Sequence, residues 1–175
     1  MQTKPLGNSD MHLTPIGIGA WAMGGGGWAF AWGPQDDDDS VAAIHAALDA
    51  GINFVDTADV YSAGESEEIV GKALKGRRDD IVLATKFFVP MGDDPNQRGG
   101  SRRWIITEVE NSLKRLGTDW IDLYQVHRPD PETDVEETLS ALTDLVQQGK
   151  VRYIGSSSYS AGGPGRGRSS RCRAA

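Results

Sequence analysis

Apolar residues in the middle of the chain repeat in a unit that joins a helix-like stretch to a strand-like stretch. Four stretches carry apolar side chains at the i, i+3/i+4, i+7 spacing of one buried helix face, at 41–48, 69–74, 105–116 and 135–145. Each stretch stops at or just before a glycine: Gly51, Gly76, Gly117 and Gly149. Nearly continuous apolar segments follow: INFVD, DDIVLATKF, TDWIDLYQVH and KVRYIGSS. This alternation predicts an α/β fold whose parallel strands are covered on both faces.

The residues before the first helix predict two further β elements. The segment PIGIGAW (15–21) is typical of one more strand. Ahead of it, TKPLGNSDMHLTP places turn residues between two short arms, which predicts a small N-terminal hairpin. The predicted order is therefore a hairpin, followed by five strands with four intervening helices.

Two architectures accommodate this order of elements. An open, doubly wound parallel sheet is complete with five strands, whereas a (β/α)8 TIM barrel needs eight. The four helix-ending glycines lie about 33 residues apart on average. Eight such units would make roughly 260 residues, near the ~250 typical of that barrel. On this basis the chain would be a barrel truncated after about its fifth strand, and the spacing alone leaves both folds open.

Composition narrows the class of protein. The chain has 175 residues, a formal net charge of −7 and 38% hydrophobic residues, and its pI near 4.9 argues against a nucleic-acid-binding surface. No stretch approaches the ~20 apolar residues of a membrane helix, and no secretory signal pattern is visible. One cysteine, Cys172, and three scattered histidines leave no disulfide framework and no metal-ligand cluster. These features predict a cytoplasmic protein without a metal, nucleic-acid or membrane partner.

The last 15 residues, AGGPGRGRSSRCRAA, differ from the rest of the chain. They contain four arginines and no acid, so the first 160 residues carry a formal charge of −11. One interpretation is an anion-binding arm. The other, which the Gly/Arg/Ser-rich composition favours, is a disordered tail unrelated to the preceding domain. We therefore expect one domain over residues 1–160 and a tail over residues 161–175.

Ionisable side chains stand where three consecutive predicted strands end. Asp56 ends INFVD, with Tyr61 five residues further on, Lys86 ends IVLATK and His127 ends DLYQVH. In both candidate folds the carboxyl ends of the strands form the functional face. Each residue alone has a plain structural explanation, as a loop cap, a surface charge or a buried, hydrogen-bonded imidazole. Three such residues at equivalent positions, with a tyrosine nearby, indicate a site.

An aspartate, a tyrosine, a lysine and a histidine at one site suit a particular chemistry. A nearby ammonium favours the phenolate form of a tyrosine, and a carboxylate holds that ammonium charged and in place. The tyrosine then acts as a general acid near neutral pH, while a neutral imidazole donates a hydrogen bond to a substrate oxygen. This combination suits carbonyl reduction. None of the four side chains delivers a hydride, so a redox cofactor is required.

The motifs that carry these residues resemble the aldo-keto reductases, a family of (β/α)8-barrel enzymes that use NADPH. The resemblance runs from about residue 14 to residue 159, through INFVDTADVY, GESEEIVGKAL, ATKF, SLKRLGTDWIDLYQVHRPD and QQGKVRYIGSSS. It favours the barrel over the open sheet and implies reduction of an aldehyde or ketone. It also implies that Tyr61 is the proton donor, Lys86 and Asp56 tune its acidity, and His127 orients the substrate carbonyl.

Cofactor contacts also follow from the resemblance. The segment GIGAWA (17–22) formally matches a dinucleotide-binding fingerprint, but we reject it because no helix opens directly after it. The resemblance instead implies that the nicotinamide end of NADPH meets the end of the first strand and the segment after the fifth, with Asp56 between them. The residues concerned are Gly19, Ala20, Trp21, Asp56, Ser157 and Ser158. The family has a Ser-Asn pair where this chain has two serines, so one carboxamide contact differs.

The resemblance ends near Tyr159, whereas family members continue through three more strands whose loops hold most of the cofactor's adenosine and phosphates. We therefore expect a truncated product that carries the four catalytic residues but is poorly folded or inactive alone. Two alternatives stay open: a pseudo-enzyme remnant, and a non-catalytic module, since regulatory subunits of potassium channels use the same fold.

Two smaller groups of residues complete the expectations. The acids at 36–39, and Glu65 and Glu67, are expected in the first turns of the first and second helices rather than at a cation site. Trp28, Phe30 and Trp32 either line a substrate pocket or cover the mouth of the barrel.

Overall fold

A computed structural model describes residues 1–160 of the chain. Two short strands form a hairpin, β1 (Lys4–Pro5) and β2 (His12–Leu13). Five further strands form one sheet: β3 (Ile18–Gly19), β4 (Phe54–Asp56), β5 (Val82–Phe87), β6 (Ile121–Val126) and β7 (Val151–Ser156). The helices are α1 (Asp37–Asp49), α2 (Glu65–Leu74), α3 (Arg102–Leu116) and α4 (Val135–Gln147). Short 3-10 turns lie at Tyr61–Gly64 and Arg78–Asp80.

The strands of the large sheet are all parallel and stand in chain order, β3-β4-β5-β6-β7. A doubly wound sheet reverses its strand order at a switch point, whereas a barrel adds each new strand beside the last. The order is therefore that of a (β/α)8 barrel over its first five strands, and the doubly wound alternative is wrong. Strands β3 and β7 form the two edges of the described sheet.

The first strand of this sheet is shorter than the segment PIGIGAW predicts. Its ladder pairing with β4 covers only Ile18 and Gly19. The chain turns immediately afterwards, since the N–H of Met23 donates to the carbonyl of Ala20. The end of β3 is therefore a turn that leads into the glycine-rich segment.

The hairpin closes the end of the sheet where the strands begin. Met11 packs in a small apolar cluster with Leu123 and Tyr153, near the beginnings of β6 and β7. Asn53 holds the hairpin in place, accepting from the N–H of Thr14 at 2.8 Å and donating to the carbonyl of His12 at 2.9 Å. The predicted hairpin is thus confirmed, and it leaves the carboxyl end of the sheet free for chemistry.

Capping residues fix where the helices begin and end. The Asp36 carboxylate accepts from the backbone N–H groups of Asp38 and Asp39 at the start of α1, so it satisfies donors that have no partner within the helix. Gly117 ends α3 in the left-handed region, with φ 62°. The acids at 36–39 therefore serve the helix start, as expected.

The main core lies between the outer face of the sheet and the four helices. Its fully buried members include Val55, Leu83, Phe87 and Tyr124 of the sheet. From the helices they include Ile44, Val70, Ile105, Leu142 and Leu145. This layer of helices on parallel strands accounts for the near-continuous apolar segments in the sequence.

Within residues 1–160, no helix is both long and apolar enough to cross a bilayer. The predicted disordered tail, residues 161–175, lies outside the described part of the chain. The expectations about its order and about an anion-binding arm therefore stay predictions.

Candidate active site

The carboxyl ends of β4, β5 and β6 bring the four predicted catalytic residues together at one end of the sheet. Asp56 is the last residue of β4, and Lys86 lies one residue before the end of β5. His127 follows β6 directly, and its N–H donates to the carbonyl of Phe87 at 2.9 Å. Tyr61 opens the 3-10 turn that follows β4. Parallel pairing of the strands thus brings together residues that lie up to 71 positions apart in the sequence.

Lys86 is the centre of this site. Its side chain is almost fully buried, and its ammonium donates to the carboxylate of Asp56 at 2.6 Å and to the carbonyl of Thr57 at 2.8 Å. The third partner is the hydroxyl of Tyr61, whose oxygen lies 3.3 Å from Nζ. An ammonium beside a phenol oxygen stabilises negative charge that develops there when the proton leaves.

Asp56 is held by a second neighbour that the sequence pattern did not indicate. The amide of Gln125 donates to Oδ1 of Asp56 at 3.2 Å, while Oδ2 accepts from Lys86. Gln125 pairs with Lys86 in the ladder between β5 and β6, and it stands two residues before His127. The period of two along a strand, counted back from His127, was the signal that could have found it.

His127 faces the phenol and is neutral near neutral pH. Burial, together with the positive charges of Lys86 and Arg128, lowers the pKa of this imidazole from 6.5 to about 4. Its ring lies edge-on to that of Tyr61, with the centroids 5.8 Å apart. Nδ1 of His127 is buried without a hydrogen-bond partner among the described residues. The ring therefore retains hydrogen-bonding capacity at Nδ1.

Aromatic side chains from the segment after β3 cover Tyr61. The Trp21 ring lies 5.0 Å from the Tyr61 ring and 5.4 Å from that of Trp28, measured between centroids. Phe30 meets Trp28 edge-on at 5.5 Å, whereas Trp32 is 81% exposed. Trp21 and Trp28 therefore form a wall beside the phenol, whereas Phe30, which is 66% exposed, and Trp32 are mostly open to solvent.

The predicted cofactor contacts lie at both edges of the sheet. Gly19 pairs with Asp56, and a Cβ added at Gly19 would meet nothing within 4 Å, so there is open space beside the carboxylate. The buried Ala20 donates its N–H to the carbonyl of Asp56 at 2.9 Å. At the other edge, Ser157 donates its N–H to Val126, which brings it beside the end of β6.

These groups match one part of a nicotinamide cofactor. The hydroxyls of Ser157 and Ser158 lie 3.5 Å apart, and hydroxyls both donate and accept, as a carboxamide requires. Ser157 is half-buried and Ser158 is exposed. None of the predicted contacts is a free cation, so they suit the neutral carboxamide and not the charged pyrophosphate. The described residues therefore fit the nicotinamide half of the cofactor.

A further feature is how the potential metal-ligating side chains are distributed. Among residues 1–160, no group of three or more His, Cys, Asp or Glu side chains could hold an ion. Two surface grooves lie away from these four residues, one lined by residues near the carboxyl ends of α3 and α4 and the other by residues at the end of α1.

Comparison with known proteins gives a consistent family match. Residues 15–163 match the family described as "Aldo/keto reductase family". The aldo-keto reductase YhdN of Bacillus subtilis (strain 168) is 46% identical over 162 residues, which cover 91% of this chain and 48% of that protein. A probable voltage-gated potassium channel subunit beta from Oryza sativa subsp. japonica is 40% identical over 164 residues, or 92% of this chain and 48% of its own length.

Structural comparison gives the same answer. The aldo-keto reductase AKR11C1 from Bacillus halodurans (holo form) matches with a TM-score of 0.77 at 39% identity, and the match covers 89% of this chain and 50% of that one. A thermostable aldo-keto reductase, Tm1743, matches with a TM-score of 0.78 at 36% identity. The chain spans about half the length of the curated relatives it matches.

Proposed function

Because this chain belongs to the aldo/keto reductase family, we propose that its four-residue site reduces an aldehyde or ketone to an alcohol with NADPH. The observation that carries the proposal is one buried ammonium, Lys86, in contact with both a carboxylate and a phenol oxygen. Such an arrangement supports a proton-donor role for the phenol at the carboxyl end of a barrel sheet.

Tyr61 is the proton donor in this proposal. As negative charge builds on the substrate oxygen, the phenol proton moves to it and leaves a phenolate that Lys86 stabilises from 3.3 Å. Asp56 keeps the ammonium charged in its buried position, and Gln125 orients the carboxylate. When bound, NADPH supplies the hydride that reaches the carbonyl carbon.

His127 positions the substrate rather than transferring the proton. A neutral imidazole offers a single N–H, and the ring faces the phenol edge-on. A carbonyl oxygen that accepts from both His127 and Tyr61 would be fixed in orientation by these two donors. The aromatic wall of Trp21 and Trp28 excludes water from the other side of the phenol.

We assign the nicotinamide contacts to both edges of the sheet. Gly19, Ala20 and Trp21 flank Asp56 at one edge, and the hydroxyls of Ser157 and Ser158 meet the carboxamide at the other. We further propose that residues 1–160 form one partial-barrel domain. Since the chain spans about half of its relatives, turnover by the whole protein is part of the proposal.

The test is turnover of NADPH with a simple aldehyde. We expect Tyr61→Phe to lower kcat by about 10²–10⁴-fold, the usual contribution of a general acid, while NADPH still quenches tryptophan fluorescence with the wild-type Kd. Tyr153→Phe is the matched control, because this tyrosine lies at the opposite end of the sheet, against Asp10 of the hairpin. Equal turnover in wild type and Tyr61→Phe would refute the assignment.

The second candidate is a non-catalytic regulatory module. It is favoured by relatives described as probable voltage-gated potassium channel subunits beta in rice and in Arabidopsis thaliana, at 40% and 38% identity. In that case NADPH binding persists without turnover, and Tyr61→Phe changes neither. The fluorescence titration and the turnover assay together therefore separate the two functions.

A further inference from the structure

A second group of buried charges lies on the outer face of the sheet, under the helices, and the proposed reaction does not use it. Asp59, Glu67 and Glu108 have no exposed surface, and a single guanidinium, that of Arg115, faces them. Nε of Arg115 donates to Glu67 at 2.6 Å, and its Nη2 donates to Glu108. We refer to these four residues as the rear cluster. One cation cannot balance three ionised carboxylates in a buried site, so a proton is retained there.

The rear cluster lies on the opposite face of the sheet from the proposed catalytic lysine. Consecutive residues of a strand point to opposite faces. The Lys86 side chain meets Asp56 and Tyr61, whereas that of its neighbour Thr85 donates to Glu67 at 2.6 Å. The Lys86–Asp56 pair and the rear cluster therefore lie on opposite faces of β5. The main chain and the turns connect them.

Asp59 is the residue that makes this connection. It lies two positions before Tyr61, and its N–H donates to the carbonyl of Lys86 at 3.2 Å. Its Oδ1 accepts from the N–H of Val60 at 2.6 Å. The N–H of Tyr61 in turn donates to the carbonyl of Ala58 at 3.2 Å. Asp59 thus ties the turn that carries the phenol to the end of β5, with its side chain in the rear cluster.

The turn itself is held in an unfavourable conformation. Ser62 and Ala63 both adopt left-handed backbone angles, with φ 48° and 54°, which non-glycine residues rarely do. Gly64 follows at φ 104°, and a Cβ there would lie 2.9 Å from Cδ of Arg115. The guanidinium side chain that binds the rear acids therefore also packs under the turn. Such a conformation persists only where the surroundings enforce it.

One oxygen of the Asp59 carboxyl is not stabilised by its surroundings. Oδ2 is buried without a hydrogen-bond partner among the described residues, as is the hydroxyl of Tyr124. A buried carboxyl with an unpartnered oxygen destabilises a fold, so an apolar side chain would serve packing better. We propose that Asp59 is a positioning residue for Tyr61, holding the phenol-bearing turn between the end of β5 and the rear cluster. This inference rests on the proposed role of Tyr61.

Burial and the neighbouring acids favour the protonated form of Asp59. Glu67 faces it from α2, Glu108 and Arg115 from α3, and Tyr124 from β6. Burial, reinforced by the negative charges of Glu108 and Glu67, raises the pKa of Asp59 well above its ordinary value. A carboxamide oxygen accepts the Val60 N–H as the carboxyl oxygen does, so Asp59→Asn preserves the contact that positions the turn.

The experiment observes the phenol directly and does not depend on turnover. The full chain is labelled with ¹³C at tyrosine Cζ, the Tyr61 resonance is assigned by its loss in Tyr61→Phe, and its chemical shift is compared between variants at one pH. We expect Asp59→Ala to move this resonance from its wild-type position, because the phenol oxygen leaves its place 3.3 Å from the Lys86 ammonium. We expect Asp59→Asn to keep the wild-type chemical shift.

Asp134→Ala is the control for a general loss of stability. Asp134 caps α4 by accepting from the N–H of Glu136 at 3.0 Å, and it contacts neither the turn nor the rear cluster. We expect it to lower the melting temperature without moving the Tyr61 resonance. If Asp59→Ala does not fold, Asp59→Leu deletes the same acceptor while filling its space.

Two results would overturn the proposal. One is a Tyr61 chemical shift unchanged in Asp59→Ala or Asp59→Leu despite a lower melting temperature, which would make Asp59 merely structural. The other is an equal shift in Asp59→Asn, which would mean that the acceptor does not position the turn. Absence of turnover in the wild-type chain would count against the proposed function alone, since the resonance reports on Tyr61 in either case.

Discussion

Two buried groups of charges lie back to back on β5, and they are built differently. On the inner face, Lys86 and Asp56 form a pair of one cation and one anion at 2.6 Å, beside a phenol and an imidazole. On the outer face, the rear cluster sets one guanidinium among three carboxyl groups sealed beneath α2 and α3.

This difference separates reactivity from support. The inner pair is balanced, so its ammonium is free to stabilise charge that appears on Tyr61 during a reaction. The rear cluster is unbalanced and enclosed, so it holds a proton and a fixed geometry rather than reacting. If that is correct, changes to the inner pair alter turnover, and changes to the rear cluster alter stability and the position of the turn.

The largest effect is expected at the inner pair. Lys86→Met removes the ammonium that stabilises the phenolate, so we expect kcat to fall by about 10²–10⁴-fold in an NADPH turnover assay. Lys72→Met is the control, because Lys72 forms only an exposed pair with Asp37 at 3.3 Å. A Lys86→Met protein that keeps most of its turnover would remove the inner pair from the reaction.

The rear cluster is expected to respond through stability. Arg115→Met leaves Glu67 and Glu108 buried without their cation, and breaking a buried pair in this way costs about 3–5 kcal/mol of unfolding free energy. Urea denaturation followed by tryptophan fluorescence measures the change. Arg77→Met, which loses only an exposed contact with Asp49, should cost about 0–1 kcal/mol. Similar costs for the two variants would mean that the cluster is not sealed.

His127 gives the inner face a pH signature. Its pKa is about 4 in the fold and 6.5 when unperturbed, so below about 6.5 the unfolded chain binds a proton that the folded chain refuses. The stability that the neutral His127 contributes is therefore fully present above about pH 6.5 and is lost as the pH falls toward about 4. The expected loss is about 1–2 kcal/mol, which is less than the full pKa shift implies because solvent reaches this end of the sheet. Thermal melts of His127→Gln should lack this loss. If wild type and His127→Gln lost the same stability at acid pH, the lowered pKa of His127 would be wrong.

The sequence predicted the framework because the framework depends on local patterns. Helix periodicity and the glycines after each helix fixed all four helices, and apolar segments fixed the strands. The convergence of Asp56, Lys86 and His127 was predictable as well, because parallel strands bring their carboxyl ends to one edge. The order of the strands in the sheet was not predictable in this way, because the spacing of elements along the chain does not determine which strands are neighbours.

The rear cluster was not predictable from one sequence for a physical reason. Glu67 lies in the first turn of α2, as expected, yet it is fully buried, because Thr85 and Arg115 approach it from two other elements. Glu108 lies on the buried face of α3, where Arg115 of the same helix reaches it. A charge on a helix is assigned to solvent unless its partners are known, and Glu67 finds its partners 18 and 48 positions away, on β5 and α3.

Asp59 offers the finest test of the contrast between the two faces. Its pKa is raised in the fold, so the unfolded chain releases the proton as the pH rises through its ordinary value of 3.8 while the folded chain keeps it. This carboxyl therefore lowers stability progressively above that pH. Asp59→Asn cannot ionise, so we expect its melting temperature to match wild type near pH 3.8 and to exceed it increasingly toward neutrality. Asp119→Asn, at an exposed position outside the rear cluster, should stay parallel to wild type. If Asp59→Asn also stays parallel, the retained proton resides on Glu67 or Glu108, and the neutral carboxyl assigned to the phenol-bearing turn would be wrong.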